Sequence, residues 1–527
     1  MSSGVPRSSR WLNPDGALFA AVAILVAIYI ARIGPYWNIS PDSATYVGLA
    51  RALVAGEPYA RGSIQPPVTS LVYAVVLFFF PDGYTALNAA TVLLICLALA
   101  CAFALVRRHA GRTQAFVVVL LSLASVRFYA EGSQLLSEPS YMLFSMAALW
   151  LLDRPPSVDA TDDARPLSRR DTMLAGTFMI VTVLTRAVGL ALVLAVLVAE
   201  GWRVVRRRGS ANVLLAGFAA AAVVAVVLWE MVGSRSSYAA DWFRMFLLRD
   251  ASPGDAGGLS LSSLFSRVGE NRGALPAVGA LLMNSWRSPS DWLNVLLPVG
   301  GTILFLAGLF QSLRRRVTVS AIYVLIYVGV VTAHSVVGGF IDQRYLVSVL
   351  PLLIHFSLEA ARGLISWVSL RLPRFDAARA TLVLGTVYVA LYTAVAIEPI
   401  RQGVADAHSS PFGAYPIKRP SNFDLQRVAM WMAEHAGPDD TFASWQRDMI
   451  EVLAERRGYA LSDKLVTPAD SLTGWLEAQH IRFLVVDHRS GSRGDSLVAA
   501  VRRHPGAFQL VTALRNASLY EVRPRPD

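Results

Sequence analysis

The sequence predicts a polytopic α-helical membrane protein with about eleven transmembrane helices and a small C-terminal extracytoplasmic α/β domain. Of the 527 residues, 54% are hydrophobic and only 16% are charged, whereas soluble domains carry about 25% charged residues. Apolar stretches near the roughly 20 residues that span a bilayer recur as far as residue 397. From about Glu398 the composition changes to that of a soluble domain.

The apolar stretches alternate with short polar or arginine-rich segments. The stretch at 171–202 fits either one long helix or two short helices around Arg186, whereas 68–80 is too short to span and fits a helix lying in the membrane interface. The first stretch follows basic residues but lacks a cleavage site, which favours a retained first helix. The stretches lie at 17–36, 84–106, 114–130, 138–152, 171–185, 188–202, 211–233, 291–311, 317–340, 345–368 and 379–397.

The basic residues set the orientation. The net charge of +11 comes almost entirely from arginine, and short clusters between apolar segments indicate membrane topology rather than nucleic-acid binding. Under the eleven-helix count these clusters fall on the side of the N-terminus, which the positive-inside rule makes cytoplasmic. They are Arg107, Arg108 and Arg112; Arg154, Arg165, Arg169 and Arg170; Arg206, Arg207 and Arg208; Arg314, Arg315 and Arg316; and Arg371, Arg374 and Arg379.

This count divides the chain into two domains. We expect a transmembrane domain over 1–397, with outer loops at 37–83 and 234–290, and an extracytoplasmic α/β domain over 398–527. In the second domain, apolar periodicity predicts helices at 422–437 and 496–504 and strands at 481–487, 508–514 and 517–522. Arginine-rich composition with much alanine and valine favours a bacterial origin, and hence the inner membrane.

Two carboxylates next to apolar segments are the first candidate site residues. Asp42 follows the first span, and Glu138 begins the fourth, so both lie on the outer side. Carboxylates near lipid are costly and usually functional. The alternatives are that Asp42 caps an amphipathic helix and that Glu138 only favours a helix N-terminus. For Glu131 the sequence predicts a solvated loop residue.

Two arginines on the same side complete the candidate site. Arg186 is flanked by apolar residues, and Arg344 opens the tenth span where the positive-inside rule disfavours a cation. Each could snorkel or pair with a neighbour such as Asp342, or could bind phosphate oxygens. A carboxylate can accept the proton of an attacking hydroxyl or hold a divalent metal such as Mg²⁺ or Mn²⁺, so Asp42 and Glu138 are also possible metal ligands.

Other kinds of site are not indicated. The chain has no Gly-rich dinucleotide motif, P-loop or zinc-ligand spacing. Its two cysteines, Cys96 and Cys101, lie in one apolar segment at a spacing that does not favour a disulfide.

Four motifs together resemble the bacterial GT-C glycosyltransferases, and are closest to the protein O-mannosyltransferase-like (family 39-like) and aminoarabinose-transferase-like branch. The first motif is D-x-x-x-Y-x-x-x-A-x-x-L-x-x-G-x-x-Y from Asp42 to Tyr59, followed by Pro66-Pro67. The others are S-E-P-x-Y-x-L-F from Ser137, L-T-R ending at Arg186, and R-Y-L-x-x-x-L-P from Arg344.

The resemblance implies an inverting transfer of a sugar from a polyprenyl phosphate to an extracytoplasmic lipid, glycan or protein. Asp42 would be the essential base or metal ligand, with Glu138 supporting it. The implied ligands of the donor phosphate are Arg186, Arg344 and Arg61, and the implied substrate contacts are Tyr46, Tyr59, Gln65 and Tyr345.

The chain also departs from the family pattern. Many protein mannosyltransferases have Asp-Glu where this chain has Asp42-Ser43. Other relatives have a basic residue or His before the Pro-Pro pair, where this chain has Gln65. The first departure weakens a protein-mannosylation assignment. A lipid-linked-sugar flippase and a non-catalytic membrane scaffold are the competing hypotheses. A transporter would need charged residues within its spans, and few lie within the spans predicted here.

Overall fold

The computed structural model describes residues 14–34, 40–57, 65–81, 83–153, 167–207, 212–233, 274–284, 290–333, 343–372, 376–409, 420–461, 470–488 and 492–523. These residues form a large helical part, which holds the predicted spans, and a smaller part with one five-stranded sheet near the C-terminus.

The helical part is a succession of helices with short connections. A short 3-10 turn at Ala187–Gly189 separates the eighth helix from the ninth. The helices are α1 (Pro14–Ala31), α2 (Pro41–Val54), α3 (Pro67–Phe79), α4 (Tyr84–Ala110), α5 (Arg112–Leu123), α6 (Val126–Glu131), α7 (Glu138–Leu152), α8 (Arg169–Val183), α9 (Leu190–Arg207), α10 (Val213–Gly233), α11 (Ala274–Leu282), α12 (Asp291–Arg315), α13 (Val319–Ala333), α14 (Arg344–Val347), α15 (Leu350–Arg371) and α16 (Ala377–Ser409).

Every apolar stretch that the sequence predicted as a span contains a helix. Within the described residues, four helical segments are long and apolar enough to cross a bilayer: Tyr84–Ala110, Ala187–Arg206, Asp291–Arg315 and Ala377–Ala405. The number of spans and their orientation stay predictions. The short α3 lies where an interfacial helix was expected, and its last turn exposes Phe78 and Phe79.

Three of the predicted stretches are interrupted. The 114–130 stretch breaks after Leu123, where the Ser125 hydroxyl accepts a hydrogen bond from the Phe128 amide and starts α6. The 345–368 stretch breaks between Val347 and Leu350. In 171–202 the helix ends at Val183 and Arg186 adopts an extended backbone, so this stretch forms two helices rather than one.

The C-terminal part contains a mixed sheet. Its strands are β1 (Phe442–Ser444), β2 (Gly458–Ala460), β3 (Phe483–Asp487), β4 (Phe508–Ala513) and β5 (Ala517–Val522), in the order β2-β1-β3-β5-β4. The pairs β2–β1 and β1–β3 are parallel, whereas β3–β5 and β5–β4 are antiparallel. Every residue of β3 is buried, because helices cover the centre of the sheet. These helices are α17 (Pro420–His435), α18 (Arg447–Ala454), α19 (Asp470–Ala478) and α20 (Ser492–Arg503).

The C-terminal part packs against α2, the helix that carries Asp42. The Thr45 hydroxyl donates to Asp448 Oδ2 at 2.9 Å, and Arg51 Nη1 donates to the Val452 carbonyl at 3.0 Å. Buried apolar side chains from α2, α3, α17, α18 and the sheet form one cluster around this contact. The contact between α2 and α18 therefore fixes the position of the helix on which Asp42 lies.

Replacing Gly48 with valine is expected to weaken this contact. A Cβ at Gly48 would lie 3.1 Å from Val452 Cγ2, and forcing extra volume into a packed interface costs about 1–3 kcal/mol. We expect Gly48→Val to lower the midpoint of thermal unfolding, followed by tryptophan fluorescence. Gly474→Val is the matched control, because nothing lies within 4 Å of a Cβ at this helical glycine. Equal midpoints for the two variants would contradict the packing argument.

Candidate active site

Asp42 is the second residue of α2, and its carboxylate does not cap this helix. Ser40 and Ser43 form a reciprocal capping box: Ser40 Oγ accepts from the Ser43 amide at 3.3 Å, and Ser43 Oγ accepts from the Ser40 amide at 2.8 Å. The cap of α2 is thus Ser40, not Asp42. The Asp42 carboxylate instead lies 2.8 Å from Arg344 Nη1, and the Asp42 side chain is 46% exposed.

Glu138 begins α7 and is buried, with a side-chain exposure of only 4%. Its Oε1 lies 2.6 Å from Arg186 Nη1 and 3.7 Å from Arg344 Nε. The same Arg186 Nη1 donates to Ser137 Oγ at 2.8 Å. Glu138 therefore lies between two guanidinium groups rather than acting only as a helix N-terminal charge.

These contacts join four side chains from distant parts of the sequence into one cluster. The order is Asp42, Arg344, Glu138 and Arg186, which we call the acid–arginine cluster. Each arginine comes from a break between helices: Arg186 from the extended link after α8, and Arg344 from the start of the short α14. Breaks of this kind let a polar side chain reach a site at the end of a helical bundle.

The charges in the acid–arginine cluster support one another. Burial by itself disfavours the charge of Arg186, but the Glu138 carboxylate outweighs it and raises the Arg186 pKa above its usual value. Burial likewise opposes the charge of Arg344, whose pKa is nevertheless raised by Asp42 and then by Glu138. Both guanidinium groups are therefore positively charged at neutral pH.

Tyrosines border the cluster. The Tyr345 ring lies under both guanidinium groups, 5.7 Å from the Arg186 carbon and 5.2 Å from the Arg344 carbon. Tyr46 is buried on α2, and burial raises the pKa of its phenol well above the usual value. The protonated phenol donates to Gln65 Oε1 at 3.4 Å. Arg61 and Tyr59, also expected here from the sequence, lie outside the described residues.

Sequence reasoning missed Tyr327. It is fully buried in α13, interacts electrostatically with Arg186 and Glu138, and donates a hydrogen bond to the Tyr345 carbonyl. The only signal in the sequence is a tyrosine pair four residues apart, Tyr323 and Tyr327, in an otherwise apolar stretch. Without knowing which helices are neighbours, that pair cannot be told from ordinary core packing.

The expectation for Glu131 was wrong. It is buried at the end of α6, with a side-chain exposure of 3%, and pairs with Arg127 Nη2 at 2.9 Å. The sequence reading failed because the polar segment around Glu131 resembles a loop, whereas tertiary packing covers it. Nearby, Arg32 donates to the Tyr129 carbonyl at 2.6 Å.

The cluster does not fit a resident divalent metal. Within the part of the chain that the structure describes, no three His, Cys, Asp or Glu side chains are grouped to hold a metal ion. The two carboxylates of the cluster, Asp42 and Glu138, each already contact a guanidinium group. At the two carboxylates that the described residues bring to the cluster, a dication would therefore meet two cations, so the metal role expected for Asp42 and Glu138 is not used in the mechanism below.

Comparison with solved structures shows the fold. ArnT from Cupriavidus metallidurans bound to undecaprenyl phosphate has a TM-score of 0.58 and 15% sequence identity over 97% of this chain and 99% of that chain. The apo form of the same protein gives a TM-score of 0.59 and 16% identity over 98% of this chain and 100% of that chain. This chain has the GT-C fold.

A second GT-C protein agrees. The archaeal oligosaccharyltransferase AglB from Archaeoglobus fulgidus, in complex with an inhibitory peptide and a dolichol-phosphate, has a TM-score of 0.53 and 12% identity over 94% of this chain and 72% of that chain. Another AglB structure, with a TM-score of 0.51, contains zinc and sulfate. Neither protein-family models nor curated proteins gave a match. The GT-C fold and the long apolar helices make this a membrane protein.

Proposed function

We propose that this GT-C protein is an inverting glycosyltransferase that moves a sugar from a polyprenyl-phosphate donor to an acceptor hydroxyl or amine. The observation that carries the proposal is the acid–arginine cluster, in which a half-exposed carboxylate lies 2.8 Å from a guanidinium group. The fold supports it, because ArnT was crystallised with undecaprenyl phosphate and AglB with a dolichol-phosphate. The proposed location is the bacterial inner membrane, with the cluster and the C-terminal domain outside.

The proposed reaction is a single displacement. The Asp42 carboxylate accepts the proton of the acceptor while the acceptor atom attacks the anomeric carbon of the sugar. The bond between that carbon and the phosphate oxygen breaks on the opposite face, so the configuration inverts and the polyprenyl phosphate leaves with the bonding electrons. Arg344 and Arg186 stabilise the extra negative charge that develops on the phosphate.

Glu138 and the tyrosines have supporting roles in this proposal. Glu138 holds both guanidinium groups in place through its Oε1 contacts with Arg186 and Arg344. Tyr345 supports the same two groups from its ring face, and the Tyr46 and Gln65 pair borders the space next to Asp42 where the sugar would lie. The buried side chains keep water away from the phosphate, which strengthens each charge interaction.

The test uses purified full-length protein in lipid with a panel of radiolabelled polyprenyl-phosphate sugars, including mannose, arabinose, galactose and amino sugars. Total membrane lipids, envelope glycans and proteins serve as acceptors. Transfer from one donor, with inverted anomeric configuration in the product, would establish the class and name the sugar. Movement of a labelled donor across the bilayer without any transfer would instead support a flippase.

Replacing Arg344 with glutamine is expected to raise the KM for the donor by about ten- to a hundredfold, because a charged hydrogen bond to phosphate contributes roughly 1.5–3 kcal/mol. The measurement is the initial transfer rate as a function of donor concentration. Arg401→Gln is the control, because Arg401 is exposed and pairs only locally with Glu398 in α16. An unchanged donor KM in Arg344→Gln would remove Arg344 from the donor site.

A further inference from the structure

A polar cavity lies in the helical bundle, away from the acid–arginine cluster. Helix α4 begins beside the outer loop, where the Tyr84 hydroxyl accepts from Arg51, and ends at the basic residues before Gly111. Helix α7 begins at Glu138 and ends at Leu152, with Asp153 as its C-cap. The cavity, of about 180 Å³, lies between the C-terminal end of α4, the link from α12 to α13 and the first turns of α15, and none of its lining residues belongs to the acid–arginine cluster. Its lining residues are Leu105, Val106, His109, Ser312, Arg315, Arg316, Thr318, Ser320, Leu352, His355, Phe356 and Glu359.

Among the residues that the structure describes, positive charge exceeds negative charge around this cavity. Arg315 and Arg316 line it, and Arg362 lies 3.8 Å from the lining carboxylate Glu359, which is also 3.6 Å from Arg315. The nearby Asp153 carboxylate is engaged elsewhere, since its two oxygens accept from the Val319 and Ser320 amides, both at 2.8 Å. Three guanidinium groups thus face one shared carboxylate and one carboxylate occupied by backbone amides.

The inner wall of the cavity adds polar groups. Gln114 Nε2 lies 3.0 Å from His355 Nδ1 and donates to the His355 carbonyl at 3.4 Å. Gln114 is 2% exposed, and its Oε1 is buried with no hydrogen-bond partner within the described residues. Gln114 itself does not line the cavity, so His355 is the polar group that this side of the lining offers to a ligand.

One side of the cavity is apolar and consists of Leu105, Val106, Leu352 and Phe356, and the rest of the lining is polar, from His109, Ser312, Thr318 and Ser320. A cavity between membrane helices that is basic at its mouth and apolar along its side matches an anionic head group with attached hydrocarbon. We propose that this cavity binds a phosphate group through Arg315 and Arg316. The phosphate is carried by an anionic membrane lipid or is free in solution, and the experiment separates these two sources. The inference does not depend on the proposed transferase activity.

The experiment compares lipid retention by native mass spectrometry of the full chain. Delipidated protein is incubated with phosphatidylglycerol or with phosphatidylcholine of the same acyl chains. We expect wild type to retain phosphatidylglycerol selectively, and the double variant Arg315→Gln/Arg316→Gln to retain about tenfold less, the effect of losing about 1.4 kcal/mol. Arg371→Gln, an exposed arginine outside the cavity, is the control and should behave as wild type.

A parallel series measures thermal unfolding with inorganic phosphate against chloride at equal ionic strength. A phosphate-specific rise in the unfolding midpoint, lost in the double variant, would identify free phosphate as the ligand; selective retention of phosphatidylglycerol without that rise would identify the lipid. Arg316→Gln alone leaves the Arg315–Glu359 pair intact and serves if the double variant does not fold. Equal retention of the two lipids by wild type, together with no effect of phosphate on the unfolding midpoint, would overturn the proposal. An equal loss of phosphatidylglycerol retention in the control Arg371→Gln would overturn it as well.

Discussion

Asp42→Asn is expected to abolish sugar transfer while leaving the protein folded. Asparagine keeps the shape of the side chain but cannot accept a proton, and a positioned general base contributes about 10²- to 10⁴-fold to the rate. Stability should change little, because Asp42 is 46% exposed and its pair with Arg344 is not deeply buried. The measurements are single-turnover transfer from the donor found in the panel and the midpoint of thermal unfolding.

Asp439→Asn is the matched control, because it makes the same change at an exposed aspartate in the C-terminal domain. We expect its transfer rate to equal that of wild type. If Asp42→Asn transferred sugar at the wild-type rate, Asp42 would not be the base. If Glu138 also proved dispensable, the result would support the scaffold hypothesis. Loss of activity together with unfolding would instead mean that Asp42 holds the fold through Arg344.

Glu138→Gln is expected to reduce both stability and transfer. Glu138 is 4% exposed and lies between Arg186 and Arg344, so its neutralisation leaves two largely buried cations without their shared carboxylate. Removing one partner of a buried ion pair costs about 3–5 kcal/mol. The measurements are the midpoint of thermal unfolding and the donor KM, which should rise because both guanidinium groups lose their orientation.

A second substitution separates the charge effect from simple loss of packing. In Glu138→Gln/Arg186→Gln one uncompensated cation is removed as well, so we expect the double variant to regain part of the lost stability but none of the lost transfer. Glu398→Gln, in an exposed pair with Arg401 on α16, should leave the unfolding midpoint unchanged. A double variant less stable than Glu138→Gln would contradict the role assigned to the buried charges.

The sequence predicted the helices well because hydropathy and the length of an apolar stretch are local properties. The α7 stretch at 138–152 was predicted with the bounds that the structure shows, and the long strands β4 and β5 were found from their composition. The strands β1 and β2 were missed, because each has three residues, too few for an alternating pattern. Helix α11 was missed too, since it falls in the segment read as an outer loop.

The candidate site was predictable in its residue types but not in its contacts. Charged residues at the ends of apolar segments are visible in the sequence, and this identified Asp42, Glu138, Arg186 and Arg344. The sequence could not show that Arg344 contacts both carboxylates, because this depends on which helix ends meet in the bundle. For Arg344 the sequence offered Asp342, a near neighbour that lies outside the described residues, as one alternative pairing partner.

The sequence by itself therefore determined the membrane class, the positions of the helices and the four charged residues of the cluster, because each follows from the local cost of placing polar groups near lipid. The tertiary structure alone decided how these residues pair, that Ser40 rather than Asp42 caps α2, and that Tyr327 lies beside the cluster. It also decided that α18 holds α2 in place. These features depend on the packing of segments far apart in the chain, and a local pattern carries no information about which distant segments become neighbours.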